Sequence, residues 1–174
     1  GGMFADAAAP ANLGKALDEL DTRIAVVAAA GNDAGDQAVW PAAFPRVISV
    51  GALDERRLVP TGATPPRAAF SNYGSWVKAY AGGVQVLAPF VDFDETGGDV
   101  YGWRPPQHFR GWARWNRTSF AAETLSGRIA QTATALGRTG AQAAEEVLQD
   151  ARTVITNDAV CVQGTDCGTC TRQA

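Results

Sequence analysis

The stretch W-N-R-T-S-F-A-A-E-T-L-S-G, Trp115 to Gly127, decides how the rest of the chain is read. Upstream of it lie Gly, Pro and Trp residues that do not favour regular structure. Downstream, Phe120 to Leu136 is rich in Ala, Leu, Ile and Gln, which tolerate or favour a helix. Ser119 therefore stands where a loop becomes a helix. Two readings of it are open. A Ser at such a boundary serves as an N-cap, its oxygen accepting an orphan backbone N–H. A Ser there can also be a nucleophile, because the free N–H groups and the helix dipole stabilise an oxyanion.

Working outward, Ile24 to Asp33 reads I-A-V-V-A-A-A-G-N-D, an apolar run that stops at Gly31-Asn32. Continuous rather than alternating apolarity predicts a buried parallel strand over Arg23 to Ala30. Before it, Leu13, Leu17 and Leu20 have helical spacing within Ala11 to Leu20, so a helix leads into the strand. Asn32 follows at the strand's C-terminal end, the edge where open α/β sheets bind ligands. Its amide is either a turn residue in G-N-D-A-G-D or a donor to a developing oxyanion. Val47 to Leu53 predicts a second buried strand, Val77 to Tyr80 a third, and Val84 to Leu87 a short one ending near Pro89. Phe90 to Asn116 predicts a long irregular segment. Its acidic residues Asp92, Asp94, Glu95 and Asp99 are expected to be solvated loop charge, since the EF-hand Gly and terminal Glu are missing. The helix after Ser119 carries Ala122, Leu125, Ile129, Ala133 and Leu136 near one face and is expected to be central and buried. Ala141 to Ala151 predicts a second helix.

Four blocks stand in order: A-A-G-N at Ala29 to Asn32, W-P-A followed by V-I-S-V-G-A ending at Ala52, F-S-N-Y-G at Phe70 to Gly74, and R-T-S-F-A-A at Arg117 to Ala122. They resemble the blocks of the subtilisin-like serine peptidases (subtilases): A-A-G-N, Y-P-A with V-I-x-V-G-A, F-S-N-Y-G and G-T-S-x-A-x-P. The resemblance runs from Arg23 to Leu136. It implies an α/β fold, part of a three-layer subtilisin-like architecture with a mainly parallel sheet and helices on its faces. It implies peptide-bond hydrolysis through an acyl-enzyme, with Ser119 as nucleophile. The Ser119 N–H and the Asn32 amide would form the oxyanion hole. Ala29, Ala30, Gly31 and Thr118 would bind substrate. The substrate would be a peptide or protein, and the resemblance implies an exported protein. No cofactor and no metal is assigned.

The family's triad runs Asp, His, Ser along the chain, and its Asp and His precede A-A-G-N. Here 31 residues precede Asn32 and none is His; the single His108 lies 11 residues before Ser119. The chain is thus expected to be the C-terminal half of a subtilase domain over residues 1–152. The missing N-terminal half would be a partner supplying Asp and His, and the chain would be inactive alone. Two departures accompany this. Arg117 stands where the family has Gly, and Glu123 where it has Pro. They support an alternative, a non-catalytic pseudopeptidase or peptide-binding scaffold. A third reading, an unrelated hydrolase using His108 as base, is opposed by the block order.

Composition limits the other classes. The net charge of −3 over 174 residues gives no electrostatic footprint for nucleic acid. No apolar run reaches the ~20 residues of a membrane span. The first ten residues lack the basic and apolar regions of a signal peptide, and they start without Met, as expected of a trimmed chain or one that starts within a longer gene. Cys161, Cys167 and Cys170 fall in a stretch, 153–174, expected to be a poorly ordered tail. Three thiols without a nearby His do not make a structural zinc site, and one disulfide with one thiol left over is the reading.

Overall fold

Apolar runs with small residues at their centres stack side by side in the middle of the molecule. The computed structural model describes residues 3–4, 9–56, 65–95, 106–150 and 161–162. The main sheet has four strands in the order β10 (Cys161–Val162), β5 (Ala79–Gly82), β4 (Ile48–Leu53) and β2 (Val27–Ala29). β2 pairs with β4 and β4 with β5 in parallel, whereas β10 runs antiparallel to β5. Helix α2 (Thr118–Leu136) lies across β2, β4 and β5, and α3 (Gly140–Asp150) packs on α2. This is the α/β architecture expected. Val50, Ala52, Ala79 and Ala81 of the sheet meet Leu125, Ile129 and Val147 of the helices in one core. The opposite sheet face gathers Ala30, Leu53, Val77 and Tyr80, with Trp76 against them.

Helix α2 starts and stops for local reasons. Ala121, Leu125 and Ile129 recur every four residues and are buried. The stop is Gly137, in the left-handed region at φ 61°, whose N–H donates to the Ala133 carbonyl. The start is extended Arg117, which makes no side-chain cap bond. Its N–H donates instead to the Gly83 carbonyl at 3.0 Å, which fastens the helix entrance to the end of β5.

Several sequence expectations need correction. β2 is shorter than Arg23 to Ala30, and its three residues are only half-buried because it is the end strand of the sheet. α2 is central, packed on three strands and α3, but not buried all round: Ser119, Glu123, Ser126 and Ala130 are exposed along one side. Gly127, on the same helix, has nothing within 4 Å of a Cβ placed there, so no neighbouring element packs closely on it. Phe90 to Asn116 is not irregular throughout. β6 (Val86–Pro89) pairs antiparallel with β9 (Trp112–Trp115), and β7 (Phe93–Asp94) with β8 (His108–Phe109). Aromatic contacts across the strands hold this ribbon together, with Phe90, Phe109 and Trp115 in mutual ring contact.

Three smaller elements complete the described structure. α1 (Ala11–Glu19) buries only Leu17, and β1 (Met3–Phe4) pairs antiparallel with β3 (Val39–Trp40). Of the expected tail, only Cys161–Val162 is described; Cys167, Cys170 and the other residues of 153–174 lie outside the described residues, as do Gly1-Gly2 and Asp99.

Candidate active site

Asn32 and Ser119 are 87 residues apart in sequence, and hydrogen bonds join their surroundings. The Thr118 backbone N–H donates to Asn32 Oδ1 at 2.8 Å, and the Thr118 hydroxyl reaches the same oxygen at 3.1 Å. The Gly31 N–H donates to Thr118 Oγ1 at 3.2 Å. A backbone N–H can only donate, so the oxygen of the Asn32 amide must face Thr118. That leaves the two donors of Asn32 Nδ2 uncommitted by these bonds. The strand end carrying Asn32 and the helix start carrying Ser119 thus meet at one point.

Ser119 is the second residue of α2, not its cap. Its N–H is one of the first four in the helix, which have no intrahelical acceptor. Its side chain is exposed, and its hydroxyl has no hydrogen-bond partner among the described residues. An exposed hydroxyl, an uncommitted helical N–H and an amide donor near one helix start can together hold a negatively charged oxygen. Thr118 differs from the expectation for it. It is 0% exposed, so its hydroxyl ties the Gly31 backbone N–H to the Asn32 side-chain oxygen and offers no surface to a ligand. Ala30 is equally enclosed at 0%, while Ala29 and Gly31 remain partly open.

His108 is drawn elsewhere. Its Nδ1 lies 2.9 Å from Asp94 Oδ1, and Arg110 reaches the same oxygen at 2.7 Å. The Arg110 guanidinium, and secondly His108, lower the pKa of the Asp94 carboxyl. No hydrogen bond connects His108 with Ser119 among the described residues. Arg117 and Glu123, the two departures from the family pattern, are both exposed. Among the described residues, no group of three or more His, Cys, Asp or Glu side chains is arranged to hold a metal ion. No described helix is long and apolar enough to cross a membrane.

Sequence reasoning missed the support beneath Asn32. The block F-S-N-Y-G reads as a tight turn, but Ser71 and Asn72 are 0% and 1% exposed. Ser71 Oγ accepts the Ala52 N–H at 2.9 Å and donates to the Asn72 carbonyl at 3.0 Å. Asn72 in turn bonds the loop that holds Asn32. An Asn in a turn gives no sign of such burial; only its partners do.

The chain belongs to the subtilase family, whose model matches residues 5–168. It is thereby a serine-type peptidase domain by family. Over 63 residues it is 41% identical to "Thermophilic serine proteinase" of Bacillus sp. (strain AK1), covering 36% of this chain and 14% of that protein. Over 87 residues it is 36% identical to "Cuticle-degrading serine protease" of Arthrobotrys oligospora, covering 49% of this chain and 19% of that protein. Among solved structures, the self-cleaved protease domain of PatA superposes with a TM-score of 0.61 at 27% identity, over 90% of this chain and 52% of that one. The prenylagaramide maturation protease PagA shares the fold, with a TM-score of 0.61 at 24% identity, over 90% and 50% of the two chains. The matched parts therefore span about half the length of these two structures, and 14% and 19% of these two sequence relatives.

Proposed function

We propose that this chain is the nucleophile-bearing half of a subtilisin-like serine endopeptidase domain. In this reading Ser119 Oγ attacks the carbonyl carbon of a peptide bond. The hydroxyl proton passes to a His base and then to the departing amine as the C–N bond breaks. Water, giving its proton to the same base, hydrolyses the ester left on Ser119. The Ser119 N–H and Asn32 Nδ2 hold the oxygen that becomes negative, and Ala29 and Gly31 at the strand end line the pocket for the residue before the cut, with enclosed Ala30 behind them. The observation that carries the reading is the 2.8 Å bond from Thr118 N–H to Asn32 Oδ1, which sets an amide beside the residue preceding the nucleophile. His and Asp are supplied by a partner, the N-terminal half of the domain, and the substrate is a peptide or protein. Like much of the family, the protein is exported.

The 174-residue chain should react weakly or not at all with a serine-directed fluorophosphonate, because a hydroxyl without a neighbouring base is a poor nucleophile. Rapid stoichiometric labelling that disappears in Ser119→Ala would show that the centre is already complete. A second reading is favoured by exposed Arg117 and Glu123 beside Ser119: a domain that binds peptides without cutting them. A carboxylate one helical turn from Ser119 opposes the charge that forms in the transition state. Reading the coding sequence upstream of Gly1 separates the two. In-frame D-[ST]-G and H-G-T-x-V-A-G blocks belong to the peptidase; their absence favours the binding domain.

A further inference from the structure

We infer that Asn72 is a positioning residue that fixes the Gly31–Gly35 loop and, through it, the amide of Asn32. The inference rests on the oxyanion-hole reading for its meaning but not for its geometry. Two segments are laced together here. The Asn72 N–H donates to the Gly31 carbonyl at 3.0 Å, and the Tyr73 N–H to the Gly35 carbonyl at 3.0 Å. In the other direction the Ala34 N–H donates to the Phe70 carbonyl at 3.0 Å. The Asp33 and Gly35 N–H groups both donate to Asn72 Oδ1, at 2.8 and 3.3 Å. One side-chain oxygen thus serves two amides of the loop, directly after Asn32.

The loop needs this help. Gly31 sits at φ 104° and Ala34 at φ 55°, and a non-glycine residue in the left-handed region is held there only by its surroundings. Ala34, directly after Asp33, is such a residue, so the loop does not hold this shape by local preference alone. Asn72 is itself enclosed. It is 1% exposed, and its Nδ2 packs so closely on Gly31 that a Cβ there would lie 2.5 Å away. Ser71 pins its carbonyl. An amide must be fixed closely to serve a transition state, and small misplacements are costly. Asn32 is fixed at one end by Thr118 and, through its backbone, by Asn72 at the other.

Amide hydrogen exchange on the 174-residue chain tests this without requiring activity, so its outcome is separable from that of the oxyanion-hole reading. In Asn72→Ala the Asp33 and Gly35 amides should exchange about tenfold faster or more, and so should the Thr118 amide, which among the described residues bonds Asn32 Oδ1 alone. Amides of the β4–β5 ladder should keep their protection. Asn72→Asp, which retains the acceptor oxygen, should restore Asp33, Gly35 and Thr118. Where the alanine variant does not fold, Asn72→Ser gives the same comparison, because a hydroxymethyl is too short to serve both amides. Equal acceleration of the β4–β5 amides would reduce Asn72 to a general structural residue and overturn the inference. An unchanged Thr118 amide beside faster Asp33 and Gly35 would overturn it too, since Asn32 would then be held without Asn72.

Discussion

Replacing Thr118 by Val should destabilise the chain more than replacing it by Ser, although Val preserves more buried apolar surface. The Thr118 side chain is fully enclosed, and its hydroxyl accepts from Gly31 and donates to Asn32. Val removes both bonds, at about 1 kcal/mol each. It also leaves the Gly31 N–H without that acceptor, which adds about 1 kcal/mol. The extra buried methyl returns roughly 0.8 kcal/mol. The net cost is about 2 kcal/mol, or a fall in melting temperature of roughly 4–8 °C for a domain of this size. Ser keeps both bonds and loses one buried methyl, so it should cost about 0.8 kcal/mol and roughly 2–3 °C. Thermal unfolding followed by circular dichroism ranks the three chains. If Thr118 were merely a space-filling residue, Val would melt above Ser. That order would refute the account of how strand end and helix start are joined.

Gly31→Ala should cost about 2–4 kcal/mol in urea unfolding, since it adds a Cβ 2.5 Å from Asn72 Nδ2 at a φ of 104°; ordinary stability would show that the loop can rearrange freely. The ribbon should loosen in acid. The Asp94 pKa is lowered from 3.8, chiefly by Arg110 and then by His108, so its contribution is complete above that value and is lost as pH falls through the lower folded one. Amide shifts of Phe93 and Phe109 should therefore move below about pH 4, and Asp94→Asn should remove the transition.

The fold was legible where pattern and physics coincide. The Val47–Leu53 run is buried on both faces and reads directly as a parallel strand, and Ala121, Leu125 and Ile129 repeat at helical spacing. Block order placed Asn32 and Ser119 without any local signal to join them. What stayed hidden depends on partners distant in sequence. The ribbon over Phe90 to Trp115 looked irregular because only cross-strand pairing, not periodicity, organises it. Thr118 looked like a substrate contact because sequence does not reveal which way a hydroxyl beside a nucleophile faces. Asn72 looked like a turn because burial is a tertiary property. β2 and α2 looked fully covered because an apolar run reads the same whether or not its second side has a neighbour.

That uncovered side leads to a last prediction. β2 ends the sheet order, with β4 as its partner and no strand on its other edge among the described residues. Beside it a groove of about 350 Å³ runs between strand and helix, lined by Ile24, Ala25, Val27, Ile129 and Ala130. Ile24 is 49% exposed at its rim. An open strand edge next to an apolar groove is a template for pairing with another chain. The 174-residue chain should therefore associate as its concentration rises, and sedimentation should show it. Val27→Lys, a charge in that groove on the edge strand, should reduce association, whereas Lys in place of exposed Gln131 should not. A monomer at all concentrations, unfolding cooperatively with the stability of an ordinary domain of this length, would show that the edge needs no cover. It would also count against the half-domain reading, because a partner that brings the catalytic base must have a surface to sit on. The exposed side of α2, from Ser119 through Glu123 and Ser126 to Ala130, is continuous with this groove at Ser126 and Ala130. A partner seated there to deliver a base to Ser119 would raise stability and reactivity together.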